Sequence, residues 1–89
     1  MSSHRNIDPA RLALSPAQCR AARGLLGWSQ DELAERARTT QRTVSAFEVG
    51  ETVPKAATVG KLKTVLEAAG IEFVARPGTV GALLHRPVE

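Results

Sequence analysis

The sequence predicts a small, mainly α-helical domain: four short helices followed by a carboxyl-terminal β-hairpin. Apolar residues recur at spacings of three and four between Ser15 and Ala69. Within that stretch Ser15-Pro16, Ser29-Gln30 and Thr40-Gln41 each read as a helix start. Beyond Gly70 the apolar period drops to two. A period near 3.6 marks helices with one buried face, and a period of two marks strands.

Residues 1–14 carry His4, Arg5, Asp8, Pro9 and Arg11 without a sustained apolar period. They are expected to form a flexible amino-terminal arm, ordering locally around Leu12 and Leu14, and either fraying or reaching a partner. In residues 15–69, Ser15 is the expected N-cap of the first helix, with Pro16 at its first position and Gln18 bonding back to the cap. Cys19, Ala22, Leu25 and Leu26 form the expected inward face. Gln18, Arg20 and Arg23 are placed elsewhere, and Gly27 is the left-handed stop. Ser29 caps the second helix, with Glu32 expected to bond back to it, and Leu33, Ala34 and Ala37 turn inward.

Arg38 and Thr39 then form a turn, and Thr40 caps a third helix over Gln41–Glu48. Only Val44 and Phe47 of that helix are expected inside. Gln41, Arg42, Thr43, Ser45 and Ala46 are left on a polar, mostly uncharged face, unlike the interleaved acids and lysines of a merely solvated helix. Gly50 ends it, a loop with Pro54 follows, and a fourth helix spans about Ala56 to Ala69 with Val59, Leu62, Leu66 and Ala69 on one face, Gly70 as its stop and no evident cap. In residues 70–89, Ile71, Phe73 and Ala75 alternate with Glu72, Val74 and Arg76. Pro77-Gly78 is a turn, and Val80 to His85 is the expected return strand. A two-stranded hairpin is marginal alone, so it must lie on the helices or extend its sheet with a second copy.

Composition narrows the function. The chain has 89 residues, 43% hydrophobic but only 3% aromatic, so its large anchors are Trp28, Phe47 and Phe73. Twelve Lys and Arg against nine Asp and Glu give a net charge of +3, which fits an anionic partner without demanding one. The single Cys19 allows no internal disulfide and suits a reducing, cytoplasmic setting; on an apolar helix face it reads as core. Apolar runs are a few residues long, so neither a membrane span nor a signal segment is expected. His4 and His85 stand in opposite tails, and no metal site or cofactor is expected from them. Paired carboxylates, a nucleophile with its base and a phosphate loop are all missing, so an enzyme is not expected. Trp28 reads as a packing anchor, Glu48 as a residue bonded within the turn after the third helix, and Arg20, Arg23 and Arg36 as solubilising charges.

Gly27-Trp28-Ser29-Gln30-Asp31-Glu32-Leu33-Ala34, then Thr40-Gln41-Arg42-Thr43-Val44-Ser45, Phe47-Glu48, Gly50 and Pro54 together resemble the Cro and phage-repressor (XRE-like) helix-turn-helix family. The resemblance covers about Ser15 to Ala69 and implies a lambda-repressor-like bundle that binds double-stranded DNA, with its third helix in the major groove. It makes Gln41 and Arg42 the first base readers, with Thr43, Ser45 and Ala46 beside them, and gives Gln30, Ser29, Thr40, Thr52 and Lys55 to phosphates. Gln and Arg side chains suit adenine and guanine edges respectively. Family members commonly carry Gly in the turn and a branched apolar residue after it. Here Arg38 and Thr39 stand there, so Arg38 must adopt or avoid a left-handed conformation.

The expected function is a sequence-specific transcriptional regulator, acting as a homodimeric repressor on a palindromic operator, with Ile71, Phe73, Val74, Leu83 and Leu84 as the dimerisation element. The alternative is an antitoxin or adaptor whose carboxyl-terminal segment or amino-terminal arm binds a partner protein such as a toxin. The two are compatible in one chain.

Overall fold

The computed structural model describes residues 14–52 and 54–87. The expected arm lies outside the described residues except for Leu14, which is fully buried in the core. Four helices, α1 (Pro16–Leu26), α2 (Gln30–Ala37), α3 (Gln41–Glu48) and α4 (Ala56–Ala68), precede an antiparallel hairpin of β1 (Ile71–Arg76) and β2 (Thr79–Leu84).

The helix starts follow from local chemistry. Ser15 Oγ accepts from Gln18 N at 3.1 Å, and Ser15 N donates to Gln18 Oε1 at 3.0 Å, completing the reciprocal box. Ser29 Oγ accepts from Glu32 N at 3.0 Å, but the Glu32 carboxylate does not return to the cap; it pairs instead with Arg36, one turn on, at 3.1 Å. Thr40 Oγ1 accepts from Thr43 N at 3.1 Å. Only α4, opened by Lys55, has no side-chain cap, and Pro54 just before it has its own φ fixed by its ring.

The helix ends share a device. After α1, α2 and α3 a residue of positive φ closes the helix, and the next N–H donates back to the last turn: Trp28 N to Arg23 O, Thr39 N to Ala34 O and Glu51 N to Ala46 O. Gly27 and Gly50 occupy two of these positions. Arg38 occupies the third at φ 59°, so it adopts the left-handed conformation rather than avoiding it. Lys61 Nζ donates to its carbonyl at 3.4 Å.

The core joins Leu14, Cys19 and Ala22 to Leu33, Ala34 and Ala37 of α2, Val44 and Phe47 of α3, Val59, Leu62 and Leu66 of α4, and Ile71. Trp28, Leu26, Phe73, Ala82 and Leu84 pack on it half-buried. Leu25, expected inside, is 43% exposed, because α1 turns its Cys19–Ala22–Leu26 line inward and leaves Leu25 to one side. Arg36 is more than a solubilising charge: its guanidinium stacks 4.3 Å from the centroid of the Trp28 ring.

The hairpin lies on its own helices. Its register pairs Ile71 with Leu84 and Phe73 with Ala82, and these four residues make the inner face. The return strand starts at Thr79 and ends at Leu84, one residue earlier at each end than expected. Gly78 at φ 80° after Pro77 makes the two-residue turn type II, with Pro supplying the fixed φ and Gly the positive one.

Two residues weld the hairpin down. Gly70 has φ 106°, its carbonyl accepts from His85 N at 2.8 Å, and a Cβ there would stand 2.8 Å from the His85 oxygen, so only glycine fits. Gln18, expected to point away from the core, is buried. Its Nε2 donates to Val74 O at 3.0 Å and to Gly81 O at 3.1 Å, one bond to each strand. The expectation failed because those acceptors belong to a distant part of the chain that helical periodicity does not see.

Replacing Arg38 with Gly is expected to raise stability by about 0.5–1 kcal/mol, the left-handed penalty relieved less the entropy of a glycine in the unfolded chain, read as a higher melting temperature. Gln18→Ala should cost about 2 kcal/mol in urea unfolding, because it strips a buried amide from a cap and two strand carbonyls.

Candidate nucleic-acid interface

One carboxylate organises the polar side of the bundle. Helix α3 places Glu48 one turn after Val44, beside Phe47, so the spacing that buries those two also buries Glu48, which is 1% exposed. A buried anion needs partners. Arg23 supplies a bidentate pair, Nε to Oε2 and Nη2 to Oε1, both at 2.7 Å. Gln30 Nε2 donates to Oε1 at 3.0 Å, and the Cys19 thiol to Oε2 at 3.2 Å. Arg20 donates to the Glu48 carbonyl, and Arg23 Nη1 to Trp28 O at 2.9 Å. The cluster ties α1, the start of α2 and the end of α3 together.

Burial alone would raise the Glu48 pKa, but the hydrogen bonds from Arg23, Gln30 and Cys19 outweigh it and hold the carboxyl below its ordinary value. The bond to Glu48 raises Arg23 against the opposing effect of burial. Burial, then the bond to Glu48, pushes the Cys19 thiol well up, so it stays protonated as a donor. Arg20 and Arg23 are therefore structural cations, not the solubilising charges expected. The missed signal was Glu48 itself: a carboxylate on the Val44 stripe requires a cation, and Arg23 follows Ala22 on the inward side of α1.

The cluster reaches the surface through two amides. Gln41 Nε2 donates to Gln30 Oε1 at 2.7 Å, and Gln30 in turn donates to Glu48. A run of hydrogen bonds thus links exposed Gln41, at the start of α3, to the buried ion pair. Gln41 keeps its own carbonyl and one N–H free of this run; Gln30 keeps one N–H.

The remaining expected residues fall on the same side. Arg42 is exposed beside Gln41, and Thr43, Ser45 and Ala46 are half-exposed. A shallow groove is lined by Thr40, Arg42, Thr43, Ala46, Thr52 and Lys55, with Glu51 and Pro54. It brings the turn, α3 and the loop after α3 into one surface. Ser29 stands apart at the start of α2, where Asp31 and Glu32 share the helix end with it. Two further residues were not anticipated: Val49, 70% exposed where α3 ends, and Glu51, an acid lining the groove beside Arg42, Lys55 and three threonines. Of the expected dimerisation residues, Ile71, Phe73 and Leu84 pack into the protomer's own core, Val74 is half-buried and Leu83 is 51% exposed.

Among the described residues no group of three His, Cys, Asp or Glu side chains could hold a metal ion, and no helix is long and apolar enough to cross a membrane. A family model described as helix-turn-helix matches residues 20–69, more than half of the chain. A comparison with curated proteins finds no match.

Because Glu48 titrates lower in the folded than in the unfolded chain, its stabilisation is complete above the ordinary glutamate value of 4.5 and is lost as the pH falls through the lower folded value. Unfolding free energy should hold above that point and fall below it, with the fall absent in Glu48→Gln. Arg23→Ala should cost about 3 kcal/mol at neutral pH, the penalty of stranding a buried carboxylate, measured by urea unfolding.

Proposed function

We propose that this chain, which belongs to the Cro and phage-repressor (XRE-like) helix-turn-helix family of DNA-binding transcriptional regulators, is a cytoplasmic homodimeric repressor that reads a palindromic operator with α3. The observation that carries this reading is the hydrogen-bonded presentation of Gln41. Its amide is held in one plane by Gln30, which is held by Glu48, so little side-chain freedom remains to be lost on binding. The carbonyl and N–H left free are the acceptor and donor that adenine N6 and N7 require.

Arg42, exposed on the next position, suits guanine O6 and N7. Ala46 and Val49 offer methyl groups of the kind that pack on thymine, while Thr43 and Ser45 serve bases or phosphates. Thr40, Thr52 and Lys55 border the groove along α3 and are assigned to phosphate oxygens. At the start of α2, Ser29 and the free N–H of Gln30 are assigned to a phosphate with the backbone N–H groups of that helix end. In a two-fold dimer the two α3 helices would enter successive major grooves about 34–36 Å apart. Partner capture, as by an antitoxin, is the second reading, supported by Val80 and Leu83, which stand 64% and 51% exposed on the hairpin.

The test is selection of bound duplexes from a random pool, with the wild type and a Gln41→Ala/Arg42→Ala variant that keeps its helical circular dichroism. The variant should lose sequence preference while retaining weak, salt-sensitive binding. The same preference in both proteins would refute base reading by this pair.

A further inference from the structure

Strand β1 has one edge paired with β2 and one open edge. Its two-residue turn makes Arg76 and Thr79 the last hydrogen-bonded pair, and His85 N donates to Gly70 O at the other end. By alternation Glu72, Val74 and Arg76 direct their backbone groups toward β2, and Phe73 and Ala75 direct theirs outward. Among the described residues no hydrogen bond from outside the hairpin reaches the backbone N–H or C=O of Phe73 or Ala75. An edge of this kind is a template for another strand.

The side chains along β1 specify which strand fits. Glu72, Val74 and Arg76 share the outer face, an acid and a base placed symmetrically about a valine. We propose that β1 pairs antiparallel with β1 of a second copy about a two-fold axis at Val74, giving a continuous four-stranded sheet in the order β2-β1-β1-β2. In this register Phe73 of each copy faces Ala75 of the other, and these are the residues whose backbone groups point outward. Glu72 of each copy then lies across from Arg76 of the other, flanking a Val74–Val74 contact. All three are non-hydrogen-bonded pairs, where side chains approach most closely.

Slipping the axis by one residue to Phe73 would set Glu72 opposite Val74 and leave both charges unmatched. The other edge offers no such code: β2 reads Thr-Val-Gly-Ala-Leu-Leu, without a charge. Within the protomer Glu72 already holds His85, with Nε2 and Oε1 2.6 Å apart, and the contact lies at the surface, so the carboxylate can serve the imidazole and a guanidinium together.

This inference rests on the homodimer reading and fixes its interface. The experiment is sedimentation equilibrium of the full chain at low salt, for the wild type, Glu72→Arg, Arg76→Glu, the double reversal, and Ala75→Pro. Each single reversal puts two like-charged pairs across the axis and should weaken the dimer on the order of tenfold. The double reversal should restore it. Ala75→Pro removes an outward N–H without touching the β1–β2 ladder, and should give a folded monomer. A wild-type dimer indifferent to the single reversals, or not rescued by the double one, overturns this interface but leaves the homodimer standing. A wild type that stays monomeric at every concentration, with and without the selected duplex, overturns both.

Discussion

The Glu48 carboxylate, buried and bound by Arg23, Gln30 and Cys19, is the interaction on which the rest of the structure depends. Three helices of at most eleven residues meet there. Helices so short are not stable alone in water, and their mutual angles are fixed only by what they share. Much of the apolar packing between α2 and α3 rests on small or slender side chains, Ala34, Ala37 and Val44, which permit close approach but specify direction poorly. A bidentate ion pair with two further donors specifies direction well, since each of its bonds fails at the wrong angle.

The same cluster connects stability to the proposed recognition surface. Gln30 is both a partner of the buried carboxylate and the support of Gln41. The residue that joins α2 to the end of α3 is therefore the one that orients Gln41, the side chain proposed to read a base edge first. A base-reading amide on a free rotamer would lose that freedom at the moment of binding; one already bonded has lost it on folding. On the proposed reading this accounts for a buried charge in so small a domain: desolvating Glu48 and Arg23 is costly, and an apolar pair would hold the helices at least as firmly. It would not have extended a polar chain to the surface.

The hairpin is bonded to the bundle as firmly as the helices are to each other. Gln18 holds both strands through one amide, Gly70 accepts from the chain's return at His85, and Ile71, Phe73, Ala82 and Leu84 close over the helices. It is thus an extension of the helical bundle, hydrogen-bonded to α1 and packed on the shared core. Removing it from Ile71 onward would take away core residues together with any interface.

Much of this could be read from the residues in order. Ser15, Ser29 and Thr40 fix where helices begin, and Gly27, Gly50 and the Pro77-Gly78 pair fix where the chain turns, because caps and turns are contacts within a few residues. The polar surface of α3 was legible for the same reason: Val44 and Phe47 set its inner line, and Gln41 and Arg42 had to lie opposite. What the sequence could not reveal are contacts whose partners lie far along the chain. Gln18 and Arg23 read as outward polar residues until β1, β2 and Glu48 were brought to them, and Leu25 read as core until α1 was seen to roll away from it. Local propensity decided the elements, and tertiary packing decided which polar side chains were taken inside, since a buried polar group is tolerated only where folding delivers its partner.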